Sequence, residues 1–304
     1  MQDLLILGGG PAGVAAGVYA ARKKIKSILV TDSFGGQSLV SADVQNWIGV
    51  KSASGYDLAK KMEEHLRAQD IEIIANDLGL RTEKIRGGFR VTTKKGKTID
   101  AKNLLITTGS RRKKLGIPGE AEYDGKGVAY CSTCDAPIFK DKKVAVIGAG
   151  NAGLEAILDL LPYAKEIYLF ERGEALKGDM ITQEKIKNDP RVKIYLRAIP
   201  LEIKGDKLVN GLRYRNLADD SSVEMQLDGV FVEIGSIPNT DPVKDLVKLN
   251  EFGEIIINHK TQRTSKAGIW AAGDVTDVLY KQNNISMGDA VKAVLNIYDN
   301  INKK

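Results

Sequence analysis

Twice along its 304 residues the chain runs through the same succession of local patterns. Residues 3–32 read as a strand (Asp3–Leu7), a glycine turn (Gly8–Gly10), a helix (Ala12–Arg22), a second strand (Ser27–Val30) and then an acid, Asp32. Residues 143–171 repeat the order as a strand (Lys143–Ile147), a turn (Gly148–Gly150), a helix (Ala152–Leu161), a strand (Glu166–Phe170) and Glu171. Each is a βαβ unit. Its strands are near-continuous apolar runs, the mark of parallel strands covered on both faces.

Other segments fit around these units. Residues 79–100 read as short antiparallel strands turning at Gly87-Gly88 and Gly96, and residues 199–233 as a matching hairpin-rich stretch turning near Gly205-Asp206 and Asp219-Asp220. Further strands are expected at Asn103–Thr107, Val192–Leu196 and Gly268–Ala272, and a last helix at Ser286–Asn302. Arg111–Gly119 and Pro238–Pro242 read as hinges. The expected fold is therefore α/β, with two Rossmann-like, three-layer ββα dinucleotide-binding domains, the second inserted into the first. The expected limits are 1–113 and 243–304 for the first domain and 114–242 for the second.

The two turns carry the chemistry. In Gly8-Gly9-Gly10-Pro11-Ala12-Gly13 and Gly148-Ala149-Gly150-Asn151-Ala152-Gly153, glycine permits the tight turn, the approach of backbone to a pyrophosphate, and close packing of helix on strand. The helix start then offers N–H groups and partial positive charge to the phosphates. Asp32 and Glu171 stand where ribose hydroxyls would be accepted. Two fingerprints imply two dinucleotides, and FAD with a nicotinamide is the natural pair. A carboxylate at 171, followed by Arg172-Gly173-Glu174, favours NADH over NADPH; the plainer alternative is that Glu171 simply faces solvent.

The chain has two cysteines, in Cys131-Ser132-Thr133-Cys134-Asp135. This spacing reads as redox or metal chemistry. The pair can close a small disulfide, and Asp135 can move the proton that thiol chemistry needs, since neither His65 nor His259 lies near a catalytic-looking stretch. A zinc half-site completed by a second copy and an inert buried pair are the alternatives; no metal site is expected within the chain. The longest apolar runs are far too short to cross a bilayer, and the first strand follows Met1 directly, so neither membrane span nor signal peptide is expected and the protein should be cytoplasmic. The net charge of +6 is scattered apart from Arg111-Arg112-Lys113-Lys114 and Lys303-Lys304. It reads as solvated surface, without the aromatic interleaving of a nucleic-acid site; docking of an acidic partner or a cofactor phosphate near residues 111–114 is the alternative.

With these motifs in this order, the chain resembles the low-molecular-weight thioredoxin reductase family over essentially its whole length. Matching signatures include Gly35-Gly36-Gln37, Asn46-Trp47, Thr107-Thr108-Gly109, Cys131–Asp135, Ile234-Gly235 with Pro238-Asn239, and Ala272-Gly273-Asp274-Val275. Within it the chain looks most like the flavoprotein components of alkyl hydroperoxide reductases, through Asp135–Lys140, Leu176–Asp179 and Tyr280-Lys281-Gln282. Those components carry an extra N-terminal thioredoxin-like portion, so the expected partner here is a separate thioredoxin- or glutaredoxin-like protein.

The resemblance implies roles. Gly8, Gly10, Pro11, Ala12, Gly13, Asp32, Gly36, Gln37, Asn46, Thr108, Gly109, Gly273, Asp274, Lys281 and Gln282 would hold FAD. Gly148, Gly150, Asn151, Gly153, Glu171 and Gly235 would hold the nicotinamide cofactor. Cys134 would be the flavin-proximal thiol, Cys131 the thiol that attacks the partner's disulfide, and Asp135 the acid. Family members are homodimers whose inserted domain rotates between two arrangements, and a hinge suits a flavin that must meet both nicotinamide and disulfide. NADPH-using members carry His-Arg-Arg after the second strand and an Arg four residues on; here these places read Glu171-Arg172-Gly173 and Lys177. Ala136 replaces a glycine common after the acid. Some members without the basic motif take electrons from ferredoxin or a deazaflavin, which is the alternative donor. A zinc-linked interaction protein with vestigial nucleotide folds is the alternative of another class.

Overall fold

The structure, a computed structural model, describes residues 1–41, 44 and 46–302, so Lys303-Lys304 lie outside the described residues. The chain forms two compact units. Unit 1 comprises Met1–Leu39, Asn46–Arg111 and Ile237–Lys304, and unit 2 comprises Val40–Gln45 and Arg112–Ser236. At the crossings after Arg111 and Ser236 the limits expected from sequence stand a few residues further along the chain, and the placement of Val40–Gln45 in unit 2 is not expected from sequence.

Unit 1 begins with β1 (Gln2–Gly9), α1 (Pro11–Arg22) and β2 (Ser27–Phe34), the first βαβ. Then come α2 (Gly55–Arg67), β3 (Glu72–Ala75), β4 (Gly79–Ile85), β5 (Gly88–Thr93) and β6 (Thr98–Ile106). Along β1 the residues Leu4–Leu7 are all buried, as a parallel strand covered on both faces requires. Leu5 and Leu7 join a core with Phe89, Val91, Leu104 and Ile106, while Leu4 and Ile6 point to the other face. The short strands and the Asn103–Thr107 strand read from sequence turn out to be continuous. One strand, β6, pairs antiparallel with β5 at Ala101↔Phe89 and parallel with β1 at Leu104↔Leu5.

The chain crosses to unit 2 through β7 (Ser110–Arg112). Unit 2 then runs β8 (Val128–Ala129), α3 (Ser132–Asp135), β9 (Lys143–Ile147), α4 (Asn151–Leu160), β10 (Glu166–Glu171), α5 (Met180–Lys187) and β11 (Val192–Leu196). A meander of β12 (Ala198–Gly205), β13 (Val209–Asn216) and β14 (Ser222–Gln226) precedes β15 (Gly229–Val232), and β16 (Ser236–Pro238) returns the chain. Crossing strands β7 and β16 pair with each other. The parallel sheet has the order β11-β10-β9-β15-β8, and β12-β13-β14 forms a separate antiparallel layer. Period-two alternation divides the core. On β9, Val144 and Val146 pack with Leu154, Ile157 and Leu160 of α4, while Ala145 and Ile147 pack with Ile203, Leu212 and Tyr214 of the meander. Each fully buried aliphatic side chain contributes roughly 1.5–3 kcal/mol.

Back in unit 1, β17 (Ile257–Asn258), β18 (Arg263–Thr264), β19 (Ile269–Ala271) and α6 (Asn283–Asn302) complete the fold. Strand β19 lies parallel to β6, giving the path β17-β18-β19-β6-β1-β2-β3. Both units are three-layer α/β domains of Rossmann type, the second inserted into the first.

Candidate active site

The two glycine turns have nearly the same geometry. Gly8 and Gly148 sit at φ +113° and +109°, in the left-handed region that glycine tolerates. A Cβ on Gly13 would come within 1.8 Å of the Gly8 carbonyl oxygen, and one on Gly153 within 1.8 Å of the Gly148 oxygen. In both turns the last glycine is thus fixed by packing. Gly150 differs, because a Cβ there would meet nothing within 4 Å, and one on Gly10 would meet only the Gly36 Cα at 3.8 Å. Packing does not require these middle glycines. Both are extended N-caps without a side-chain cap on their helices, α4 and α1. An open glycine before an uncapped helix start fits a pyrophosphate.

In unit 1 other sequence-predicted residues gather at this turn. Gly36 lies against Gly10 and Pro11, and Gly273 (φ +78°) packs on Ala12 and Ser286. Ser286 Oγ donates to Asp274 Oδ1 at 3.2 Å. The Gln37 amide donates to the Ser110 carbonyl at 2.6 Å, Asn46 to the Gln282 amide oxygen at 3.2 Å, and Thr108 Oγ1 to the Asn239 carbonyl at 2.7 Å. Gly109 at φ +64° follows Thr108, with open space where a Cβ would stand. Lys281 donates to the Asp274 and Thr276 carbonyls and pairs with Glu254 at 2.9 Å. Asp32 is exposed on β2, between Thr31 and Ser33, which crowd Gly9. Gly36, Gly273 and Thr108 thus lie against the Gly8–Gly13 turn.

In unit 2 the site follows from strand order. Strands β10, β9, β15 and β8 lie side by side and parallel, so Glu171, Gly148, Glu233 and Cys131 stand along one C-terminal rim. Such rims are where open α/β sheets bind ligands. Glu171 is 7% exposed, which rules out the solvent-facing alternative. It accepts from the Ala149 N–H at 3.2 Å, the Gly173 N–H at 2.7 Å and Lys177 Nζ at 3.3 Å. Burial alone would raise its pKa, but these donors outweigh it and hold the carboxyl below its ordinary value. Asn151 accepts from the Asp179 N–H at 2.8 Å, and the N–H groups of Lys177 and Gly178 donate to Ala149 O, drawing the 177–179 loop over the turn. Gly235 follows at φ +95°, its carbonyl accepting from the Lys113 N–H at 3.0 Å.

Cys131 and Cys134 form a disulfide with Cα atoms 5.3 Å apart, a normal separation for the bond. Asp135 ends α3 and its N–H donates to Cys131 O at 3.0 Å. Burial pushes its carboxyl up to about 6, the Arg112 guanidinium opposing. Asp159 of α4 accepts from Ser132 Oγ at 2.8 Å and Thr133 Oγ1 at 3.0 Å, fixing the first turn of α3. Among the described residues no group of three or more His, Cys, Asp or Glu side chains could hold a metal, and no helix is long and apolar enough to cross a membrane.

Sequence reasoning missed Arg112, Asp159 and Glu233. Arg112 is hidden within the basic run, whose neighbours are otherwise engaged: Arg111 donates to Asn239 at 2.8 Å, and Lys114 pairs with Asp124 at 2.8 Å. Glu233 carries the strongest available signal, a lone acid after the apolar Val230-Phe231-Val232.

Comparison with known proteins agrees with this geometry. The family model described as pyridine nucleotide-disulphide oxidoreductase matches residues 2–294. The alkyl hydroperoxide reductase F component of Pseudomonas putida is 42% identical over 302 residues, covering 98% of this chain and 58% of that protein. The corresponding Staphylococcus aureus MRSA252 protein is 40% identical over 299 residues, covering 98% and 59%. The chain thus spans a little over half the length of these relatives. Thioredoxin reductase from Streptococcus pyogenes superposes with a TM-score of 0.91 at 32% identity, covering 99% of this chain and 98% of that one. Thioredoxin reductase from T. acidophilum does so with a TM-score of 0.69 at 36% identity, covering 99% of each. The family implies FAD and a nicotinamide as cofactors. With two glycine turns and a disulfide in place, the chain belongs to the pyridine nucleotide-disulphide oxidoreductase family.

Proposed function

We propose that this chain is a thioredoxin reductase-like enzyme that draws an electron pair from NADH, passes it through FAD to the Cys131–Cys134 disulfide, and delivers it to a thioredoxin- or glutaredoxin-like protein. The observation that carries the reading is the unit 2 rim, where Glu171, the Gly148 turn and the disulfide stand at the ends of strands of one sheet. FAD, when bound, supplies the two-electron exchange between nicotinamide and disulfide that side chains lack. The chain's own residues do the rest. The turns at Gly8 and Gly148 cradle the two pyrophosphates, and Glu171 accepts from ribose hydroxyls. Its negative charge repels a 2′-phosphate, and this favours NADH. Cys134 faces the flavin, Cys131 attacks the partner's disulfide, and Asp135, with its carboxyl pushed up to about 6, gives a proton to the departing thiolate. The enzyme works as a cytoplasmic homodimer whose inserted unit turns about the β7–β16 crossing.

Anaerobic titration with NADH, NADPH and reduced ferredoxin tests this. NADH should bleach the visible flavin band at the lowest concentration and then release two thiols per chain. Bleaching by ferredoxin alone would replace the donor. A colourless, zinc-bearing protein would overturn the enzyme reading, and reduced flavin that leaves the 131–134 bridge closed would overturn the electron path.

A further inference from the structure

Asn151 is the first residue of α4, directly after the open Gly150, and the resemblance places it among the residues that hold the nicotinamide cofactor. In the structure its side-chain oxygen is engaged by the protein itself: Oδ1 accepts from the Asp179 N–H at 2.8 Å. That bond secures one end of a strap formed by residues 176–179. The strap meets the glycine turn at Ala149, whose carbonyl accepts from the Lys177 N–H at 2.9 Å and the Gly178 N–H at 3.2 Å. A Cβ on Gly178 would lie 2.3 Å from Leu154 Cδ1 and 3.0 Å from Asn151 Oδ1, so the strap is seated directly on α4. Gln183 of α5 donates to the Gly178 carbonyl at 2.8 Å. Lys177, within the strap, reaches Glu171 Oε1 with its Nζ at 3.3 Å. Beyond Leu176 little burial holds the segment. The Lys177 side chain is 65% exposed, and Met180 and Ile181 are 75% and 66% exposed, so the strap depends on its hydrogen bonds for its place.

We propose that Asn151 is a positioning residue for the nicotinamide nucleotide: its side chain does not serve the ligand directly but anchors the 176–179 strap, so that Lys177 and Glu171 stand in place before the nucleotide arrives. Ala149 links the two sides, donating its N–H to Glu171 Oε2 at 3.2 Å while its carbonyl holds the strap. Without the Asn151 anchor the strap has to be ordered at the moment of binding, and that cost lowers affinity.

This inference rests on the nucleotide reading of unit 2 proposed above, and two readouts on the full chain separate its failure from the failure of that reading. The first needs no nucleotide. In amide hydrogen exchange of the oxidised protein, the Asp179 N–H should be protected in wild type and exchange about two- to fivefold faster in Asn151→Ala, the worth of one neutral hydrogen bond at an exposed position. The second is calorimetric titration of NAD+ into the oxidised protein, where Asn151→Ala should raise Kd by about the same factor. Changes at the donor then tell an anchor from a direct ligand. Asp179 sits at φ −54°, which proline adopts, so Asp179→Pro removes the N–H, whereas Asp179→Ala loses the same carboxyl and keeps it. Asn151→Ala should weaken NAD+ binding in the Asp179→Ala background and have no further effect in the Asp179→Pro background. Wild-type protein that binds no NAD+ overturns the nucleotide reading, and this inference with it. Binding by wild type with an unchanged Asp179 exchange rate or an unchanged Kd in Asn151→Ala overturns this inference alone, as does an undiminished loss in the Asp179→Pro background.

Discussion

Glu171 and Glu233 are both acids at strand ends of one sheet, each nearly buried, yet their surroundings push them apart. Glu171 receives two backbone N–H groups and the Lys177 ammonium, which overcome its burial and hold its pKa down. At Glu233 burial wins and pushes the carboxyl up to about 7, the Arg112 guanidinium opposing. The first is therefore a standing acceptor and the second a holder of protons. The proposed ribose recognition draws on the former. Gly173 completes that site, since a Cβ on it would lie 2.9 Å from Glu171 Oε1. The double change Glu171→Ala with Gly173→Arg removes the acceptor, relieves that contact and adds a cation. A charge-assisted hydrogen bond contributes about 1.5–3 kcal/mol, so the NADH to NADPH ratio of kcat/KM should fall about tenfold or more. An unchanged ratio in steady-state assays would show that Glu171 does not touch the ribose. The place of Glu171 is legible in sequence because it ends the strand that follows a glycine turn and its helix. The burial of Glu233 is not, since it depends on the packing of segments distant in sequence.

The elements themselves separate into those whose signal is local and those whose signal is not. Strands β9 and β11 have the bounds expected from sequence, and the helices after the glycine turns differ by a residue or so. Helix α2 is absent from the sequence expectation, although it carries clear signals: Ser54 caps it by accepting from the Asp57 N–H at 3.0 Å, and Leu58, Met62 and Leu66 recur every four residues on its buried face. The fusion that makes β6 is beyond local reading, because Ala101 and Leu104 pair with different neighbours. The glycine turns allow a sharper test. Gly150 and Gly153 belong to the same motif but serve different ends, one open to a ligand and one pressed on Gly148 O. Gly150→Ala should melt within a few degrees of wild type and keep its flavin, while KM for NADH rises about tenfold as the methyl group meets the pyrophosphate. Gly153→Ala should be destabilised by at least about 1–3 kcal/mol, the cost of overpacking. Thermal melts alongside NADH kinetics check both, and equal effects on stability would sink the distinction.

At the scale of the whole molecule, the insertion divides the chain into two units, and among the described residues the buried clusters draw on separate stretches of chain. One cluster draws on residues of 5–106 and 243–275. The two clusters of unit 2 draw on residues between 115 and 234. The disulfide, Asp135, Glu171, Glu233 and the Gly148 turn all lie within the insert, whereas the Gly8 turn and its companions lie outside it. Pairing of β7 with β16 brings the two ends of the insert together, the arrangement that lets a domain be excised without leaving loose chain. A fragment of residues 110–238 keeps both crossing strands and both of its cores. It should fold alone with a cooperative thermal transition at about 45–65 °C, the range of ordinary domains. It should also form the 131–134 disulfide and bind NADH in calorimetry, yet purify colourless with added FAD. Joining residue 110 to 238 by a short linker should leave a complementary protein that binds FAD but is not reduced by NADH. A fragment without a cooperative transition would mean that the insert borrows its stability from unit 1, and the separation of electron donor and flavin sites into two bodies would fail with it.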